Sequence, residues 1–400
     1  MTRRKTGVWL VGAHGGVATT TTIGLIALRS GQTCQHGLAS ELPQFRSLDL
    51  VEWGDLVVGG HEIRRTSLFD EAWKLATVSR ALDVALVEQL KDQLGEIDKS
   101  VRPGVLFRVG PKIEGLADDY VPRRGGTPRE SVTRLQDDLK AFASHHGLDQ
   151  VIVVNVASTE PPVDVSQLPE RWSDLSRTLD DPQTCLLTAS SLYAIAALEL
   201  GYPYINFTPS LGSTPPAIGE LACQRDTCHM GQDGKTGETL LKSVLAPMFA
   251  HRHLEVMSWV GHNIFGNLDG KVLDDPLNKK SKVATKDRVL RQILGYAPQT
   301  LVGIEYIESL GDWKTAWDHI HFRGFLGTPM VLQFIWQGCD SLLAAPLVLD
   351  LIRFTERAFR HGDRGLLKFL ACFFKSPLGV AEHNFERQYQ MLEDWAEGIR

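Results

Sequence analysis

Long hydrophobic runs are missing from this chain, and no apolar stretch approaches the roughly 18 residues that span a bilayer. A helical membrane role is excluded on that ground. A basic excess is missing too: the formal net charge is −6, whereas a general nucleic-acid or membrane-surface binder favours a cationic face. Any phosphate site is therefore a local cationic pocket within an acidic molecule. Cysteine is sparse, with six residues (Cys34, Cys185, Cys223, Cys228, Cys339 and Cys372) among 400, which excludes a disulfide scaffold and favours a reducing cytoplasm. Cys223, Cys228 and His229 lie close in sequence, but their spacing matches no common zinc pattern, so no metal is assigned to them. Internal repeats, low-complexity tracts and coiled-coil heptads are also absent. The basic start, Met1-Thr-Arg-Arg-Lys5, runs into a strand and a glycine turn without a small-residue cleavage pattern, which argues against a signal peptide.

With 43% hydrophobic and 22% charged residues, the chain has ordinary globular composition, and its length predicts two domains. Gly7-Val-Trp-Leu-Val11 reads as a buried parallel strand ending at Gly12. Residues 15–30 then read as a helix that Gly31 stops. Strand, glycine turn and helix in this order are the context of a dinucleotide fingerprint, although Gly12, Gly15 and Gly16 do not follow the usual G-x-G-x-x-G spacing. The helix start would aim free N–H groups at a pyrophosphate; plain strand–helix packing is the competing role for such glycines. Asp55-Leu-Val-Val-Gly-Gly-His-Glu62 reads as a second strand whose terminal acid, Glu62, would accept from the adenine ribose hydroxyls. Glu62 lies beyond the usual offset of about 20 residues, so an insertion separates the two strands.

Further on, residues 70–98 carry helical periodicity and residues 123–128 read as an exposed loop. Gln150-Val-Ile-Val-Val-Asn155 is the clearest strand, followed by the polar loop Val156-Ala-Ser-Thr-Glu-Pro161. Residues 163–184 read as a solvated connection, 188–200 as a helix and 204–210 as a strand with a polar end. From residue 236 the pattern changes, and candidate strands at 255–260, 303–308, 315–322 and 329–336 predict a separate sheet. A helical segment begins at Leu347 and returns to the first domain.

The chemistry concentrates in the second half. Gly231-Gln-Asp-Gly-Lys-Thr-Gly-Glu-Thr239, Gly266-Asn-Leu-Asp-Gly270 and Ser281-Lys-Val-Ala-Thr-Lys286 alternate small, amide, carboxylate and ammonium groups with little apolar filling. Such groups suit an anionic, hydroxyl-rich ligand. Gly234-Lys-Thr236 has a superficial P-loop look, but His229 stands at the first glycine and no apolar strand is expected before it, so NTPase chemistry is set aside. A lysine taken at random is a solvated surface residue, as Lys279 and Lys280 are read here. Lys375 differs, because Phe369-Leu-Ala-Cys-Phe-Phe374 before it should be buried. An ammonium ending such a run must meet an anion, reach water or lose its proton. Lys282 and Lys286 are four apart, hence on one face if helical, and clustering of two ammoniums favours a neutral, proton-accepting amine. Thr236 and Gly237 can donate to a phosphate; Asp233 and Asp269 can partner hydroxyls, lysines or a cation, or serve only as turn residues.

These motifs resemble the inositol-phosphate synthases, which cyclise glucose 6-phosphate. The resemblance is carried by residues 231–245, Asn263-Ile-Phe-Gly-Asn-Leu-Asp-Gly270, Ser281-Lys282, Thr285-Lys286, Leu310-Gly-Asp-Trp-Lys314 and Phe374-Lys-Ser-Pro377. Weaker likeness covers residues 12–21, Gly59-Gly-His-Glu62, Ser190-Ser-Leu-Tyr193 and Tyr204-Ile-Asn206. It implies an α/β fold, with a Rossmann-type NAD-binding domain (1–235 and 346–400, closed by the C-terminal segment) and an inserted α/β catalytic and oligomerisation domain (236–345). It also implies NAD as cofactor, a monovalent or divalent cation as an option, a small-molecule sugar phosphate as substrate, no nucleic-acid or membrane partner, and a cytoplasmic homotetramer. Lys282, Lys286, Lys314, Lys375, Asp233 and Asp269 become the expected catalytic set. Gly12, His14, Gly15, Gly16, Val17, Glu62, Asn155, Ala157, Ser191 and Asp350 become the cofactor set, and Thr236, Gly237, Asn206 and Asn267 the substrate and phosphate set.

Departures from the family pattern bear on the substrate. Gln232 stands where an acid is usual, Leu268 where asparagine is common, and Phe207-Thr-Pro-Ser210 replaces an amide-rich loop. Three alternatives stay open: a related cyclase acting on another sugar, such as fructose 6-phosphate giving a five-membered ring; a net NAD-dependent sugar-phosphate dehydrogenase; and a non-catalytic NAD-binding protein.

Overall fold

The computed structural model describes residues 4–122, 126–267, 270 and 290–400. Among the described residues, eleven strands form two sheets. The larger comprises β1 (Thr6–Val11), β2 (Leu56–Glu62), β3 (Val101–Pro103), β4 (Gln150–Asn155), β5 (Tyr204–Asn206), β6 (Cys228–Gly231) and the late β11 (Gly365–Leu366). Its order is β11-β6-β5-β4-β1-β2-β3, and every pairing is parallel. Order 3-2-1-4-5-6 with one added strand is the doubly wound dinucleotide arrangement, and its topological switch lies between β1 and β4. The switch places Val11 between His61 and Asn155, so that their following loops open at one sheet edge.

Buried apolar runs explain these strands. Val8, Leu10 and Ile152 pack on one face against Val348, Leu351 and Phe354 of the long helix Asp340–His361. Trp9, Val11, Val151 and Val153 pack on the other against Leu192 and Ile195 of the helix Ala189–Glu199. Both faces are covered, which is why β1 and β4 read as continuous apolar runs.

The smaller sheet has β7 (Glu255–Phe265), β8 (Gln299–Tyr306), β9 (Trp313–Arg323) and β10 (Pro329–Cys339) in the order β10-β9-β7-β8, with β7 and β8 parallel and the other pairs antiparallel. Trp259 and Ile320 bury one face against Phe249 of the helix Gly237–His251.

Several expectations need correction. The long helix starts at Asp340, not Leu347, and runs through Pro346, so the expected domain boundary falls inside it. The strand after residue 204 stops at Asn206, because Asn206 and Thr208 fold the chain into a turn. Residues 163–184 include a helix, Trp172–Thr178, anchored by buried Leu175. Residues 70–98 form three helices, Leu68–Thr77, Val84–Gln89 and Lys91–Asp98. A short buried strand, β6, does precede Gly234. The loop expected at 123–128 lies partly outside the described residues.

Candidate active site

A cavity of about 480 Å³ opens at the carboxyl ends of β1, β2, β4 and β5 and reaches the edge of the smaller sheet. Its floor is the first glycine turn. Gly12 has φ +84°, and a Cβ there would lie 2.8 Å from the Ala157 backbone. A Cβ on Gly16 would lie 2.4 Å from Ser341 Oγ, so the start of the helix Gly16–Arg29 meets the start of Asp340–His361. Gly15 and Val17 line the same floor. The first helix thus presents its N-terminal N–H groups to the cavity, which suits a diphosphate.

Glu62 ends β2 with its carboxylate nearly fully buried. Oε2 accepts the His14 N–H at 2.8 Å, and Oε1 accepts the Ile63 and Arg64 N–H groups at 2.8 and 3.1 Å. Beyond it, Val105, Val109, Ile113 and Leu116 supply an apolar wall that suits an adenine. Acid, glycine floor and apolar slot fit NAD as a group. His14 contributes through its backbone; its ring leaves the cavity to bond Asp98 Oδ1 at 2.8 Å. Asn155 Oδ1 accepts from Ala157 N–H at 3.3 Å, and both residues line the cavity.

Three expected ligand-binding side chains are used internally instead. Ser191 Oγ donates to Gly212 O at 2.7 Å, while its neighbour Ser190 faces the cavity. Asp350 accepts the Ala39 and Ser40 N–H groups at 2.7 and 2.9 Å, pinning the insertion between β1 and β2, and burial pushes its carboxyl up to about 6. Asn206 is fully buried and donates Nδ2–H to Ser210 O at 2.7 Å. Such groups must be hydrogen-bonded once buried, and here the partners are protein.

At the other end the chain is zipped to its own C-terminal segment. Gln232 and Ser376 exchange N–H···O bonds at 3.1 and 3.2 Å, Lys235 N–H donates to Phe373 O at 2.8 Å, and Lys375 N–H donates to Asp233 O at 2.6 Å. This pairing carries Lys375 Nζ to 2.9 Å from Asp233 Oδ1. Lys314 enters from β9, with Nζ 3.5 Å from Asp340 Oδ2 and 5.4 Å from the Phe265 ring centre. Thr236, at the start of the helix Gly237–His251, and Asn267 also line the cavity. Gly237 itself, at φ +54°, is not part of the lining; a Cβ there would lie 3.7 Å from Trp336 Nε1. Lys282, Lys286 and Asp269 lie outside the described residues.

Five residues around this cavity had no structural role assigned from sequence. Asp340 pairs with Lys314, and its place just before an apolar helical run was the available signal. Asp312 is buried, which raises its carboxyl, and it accepts Cys339 Sγ–H at 2.6 Å and Ser341 N–H at 3.2 Å. Glu160 is buried in the cavity wall and accepts Ser190 N–H at 2.8 Å and Oγ–H at 2.5 Å; burial also raises it. Gln232 braces the loop after β5, and Lys235 turns away from the cavity towards Gln388. Gln232 stood out in sequence only as a departure from the family pattern, and no pattern announces Lys235. Among the described residues, no group of three or more His, Cys, Asp or Glu residues could hold a metal ion. No helix among them is long and apolar enough to cross a membrane.

Known proteins resemble this chain in sequence and in fold. The family profile described as Myo-inositol-1-phosphate synthase matches residues 6–397. An inositol-3-phosphate synthase 1 of Bacteroides thetaiotaomicron is 32% identical over 98% of this chain and 93% of its own length. One of Homo sapiens is 31% identical, covering 94% of this chain and 74% of its own. The structure of a myo-inositol-1-phosphate synthase-related protein of Thermotoga maritima superposes with a TM-score of 0.78 at 26% identity, over 98% of this chain and 99% of that one. An inositol-3-phosphate synthase of Caenorhabditis elegans shares the fold with a TM-score of 0.87 at 24% identity, over 100% and 86%. Sequence profile, relatives and fold agree along almost the whole chain, which belongs to the myo-inositol-1-phosphate synthase family.

Proposed function

We propose that this protein is an NAD-dependent cyclase that converts glucose 6-phosphate to an inositol phosphate by oxidation, enolisation, intramolecular aldol closure and re-reduction. The observation that carries this reading is the Lys375–Asp233 pair at 2.9 Å in the same cavity as the glycine floor. NAD would supply a reversible hydride acceptor at C5, with no net redox change. Gly12, Gly16 and Glu62 would hold it.

Oxidation at C5 acidifies C6, and the charges that follow are all on oxygen: alkoxide, enolate and aldol oxyanion. Lys314 and Lys375, both partly buried beside a carboxylate, are suited to stabilise them. Asp233 and Asp340 keep both amines oriented until the substrate arrives. Lys282 is assigned the proton at the C5 oxygen, and Lys286 the phosphate or hydroxyls. Thr236, at a helix start, suits the phosphate. Purified protein given NAD and glucose 6-phosphate should yield a phosphorylated cyclitol by NMR without net NADH. Net NADH accumulation would favour a sugar-phosphate dehydrogenase instead.

A related cyclase using fructose 6-phosphate is favoured by one feature: Phe207 occupies the cavity wall where hydroxyl-binding amides are expected. The same assay with that sugar separates the two, and chelation by EDTA tests the cation requirement. We also infer a homotetramer built on the outer face of the smaller sheet. Leu301 and Ile335 are 57% and 70% exposed on that face, beside Val331 and Trp317, an apolar patch that suits a second copy. Light scattering should give four chains, and Ile335→Lys should reduce that number. All six cysteines are free, consistent with a cytoplasmic location.

A further inference from the structure

The polar groups around the loop after β5 are consumed by the loop itself. Asn206 Oδ1 accepts from Thr208 Oγ1 at 2.9 Å and from Asn155 Nδ2 at 3.2 Å, while its Nδ2 serves Ser210 O. Gln232 uses both ends of its amide in the same way. Oε1 accepts from Thr214 Oγ1 at 2.5 Å, and Nε2 donates to Pro209 O at 3.2 Å. A carboxylate at residue 232 would set an oxygen against that carbonyl, so an amide fits here and an acid does not. The backbone completes the brace, with Gly234 N–H donating to Phe207 O at 2.9 Å and Asp233 N–H to Thr208 O at 3.0 Å.

One consequence is the seat of Phe207. A Cβ on Gly234 would come within 2.1 Å of the phenyl ring, so ring and glycine fit only together. Phe207 is 9% exposed, and it lines the cavity that holds Asp233 and Lys375. Two departures that look separate in sequence, Gln232 and the 207–210 loop, are therefore one structural unit.

We propose that Phe207, seated on Gly234 and braced by Gln232, is a specificity wall for the sugar: the substrate carbon facing it is recognised through C–H contact, not through its hydroxyl. The proposal deepens the cyclase reading and rests on it. A site that hydrogen-bonds a hydroxyl rejects the analogue lacking it by about 10⁴–10⁵, because buried polar groups are left unpaired. An apolar wall carries no such penalty.

The test uses the full chain loaded with NAD and compares glucose 6-phosphate with its 2-deoxy, 3-deoxy and 4-deoxy counterparts, by kcat/KM and by calorimetric Kd. One of the three analogues should stay within about tenfold of the parent, while the other two lose on the order of a hundredfold or more. Phe207→Asn should then raise discrimination against the tolerated analogue by about tenfold or more, by offering its hydroxyl-bearing parent a partner. Losses above a hundredfold for all three analogues overturn the wall, as does a tolerated position unmoved by Phe207→Asn. If that variant does not fold, the panel on the unmodified protein still decides. Failure of the cyclase reading is told apart, because then no sugar phosphate in the panel gives a signal while NAD binds normally.

Discussion

The two ends of the cavity are built from different material. At the nucleotide end, backbone and absent side chains do the shaping: Gly12 and Gly16 leave no room for a Cβ, and His14 and Ser191 turn their polar groups into protein. At the sugar end, the shaping falls to charged side chains that converge from distant positions, Lys375 on Asp233 across 142 residues and Lys314 on Asp340 across 26. The first kind of site is sensitive to added atoms and indifferent to many replacements. The second is sensitive to removed charge and tolerant of small changes in packing.

Removing an amine should therefore give the largest effect. Lys375→Ala and Lys314→Ala should each lower kcat by about 10²–10⁴-fold, the range for a positioned acid, base or oxyanion partner. Binding of NAD, followed by calorimetry, should stay within a few-fold of the unmodified protein. Loss of both together would mean the ends are not separable. Gly12→Ala is the counterpart at the nucleotide end. It places a Cβ 2.8 Å from the Ala157 backbone at φ +84° and should cost about 1–3 kcal/mol in urea unfolding, along with NAD affinity. Intact NAD binding in that variant would break the comparison.

Legibility follows the same division. The glycine floor, Glu62 and strands β1 and β4 were readable because parallel strands buried on both faces leave continuous apolar runs, and glycine marks close approach. The smaller sheet was readable from four candidate strands. Lys375 was singled out by the apolar run before it. Its partner Asp233 could not be paired with it from sequence, because their meeting depends on a C-terminal segment crossing back to the loop after β6. Asp350 was misread for a related reason. A polar residue inside an apolar helix signals a buried partner, but sequence does not say whether that partner is a ligand or the chain's own N–H groups.

Asp350 gives the next smaller effect. Its carboxyl is pushed from the ordinary 3.8 up to about 6 by burial, so the folded state holds the proton more tightly than the unfolded one. That contribution is fully present below pH 3.8 and is lost as pH rises through about 6. At neutral pH the ionised carboxylate still carries the two N–H bonds from Ala39 and Ser40. Asp350→Ala would leave both donors unpaired and should cost about 1–3 kcal/mol in chemical denaturation, with kcat little changed. A kcat loss without a stability loss would return Asp350 to the cofactor site. Asp350→Asn should flatten the fall in stability between pH 4 and 6.

Lys235 should give the smallest net effect, because two terms oppose each other. It sits on the sugar-end loop between Asp233 and Thr236, yet its amine points the other way, to Gln388 and to the Phe385 ring at 5.7 Å. Burial lowers it from 10.5 to about 8, so the folded state binds the proton more weakly than the unfolded one. The penalty is fully present below about pH 8 and is relieved as pH rises to 10.5, so stability should climb across that window. Replacing the amine in Lys235→Met removes a desolvation cost of up to about 3 kcal/mol at pH 7. It also strands Gln388 Oε1, which costs about 1–3 kcal/mol, while Gln388 Nε2 keeps its bond to Glu382 O. The net should be a change of no more than about 1–2 kcal/mol, with the alkaline climb abolished. Adding Gln388→Leu removes the stranded oxygen but also the Gln388 Nε2–H bond to Glu382 O, so the double variant should lie within about 1 kcal/mol of Lys235→Met. If the single variant keeps the alkaline climb, the titrating group is not Lys235 and the burial of its amine does not set the alkaline stability.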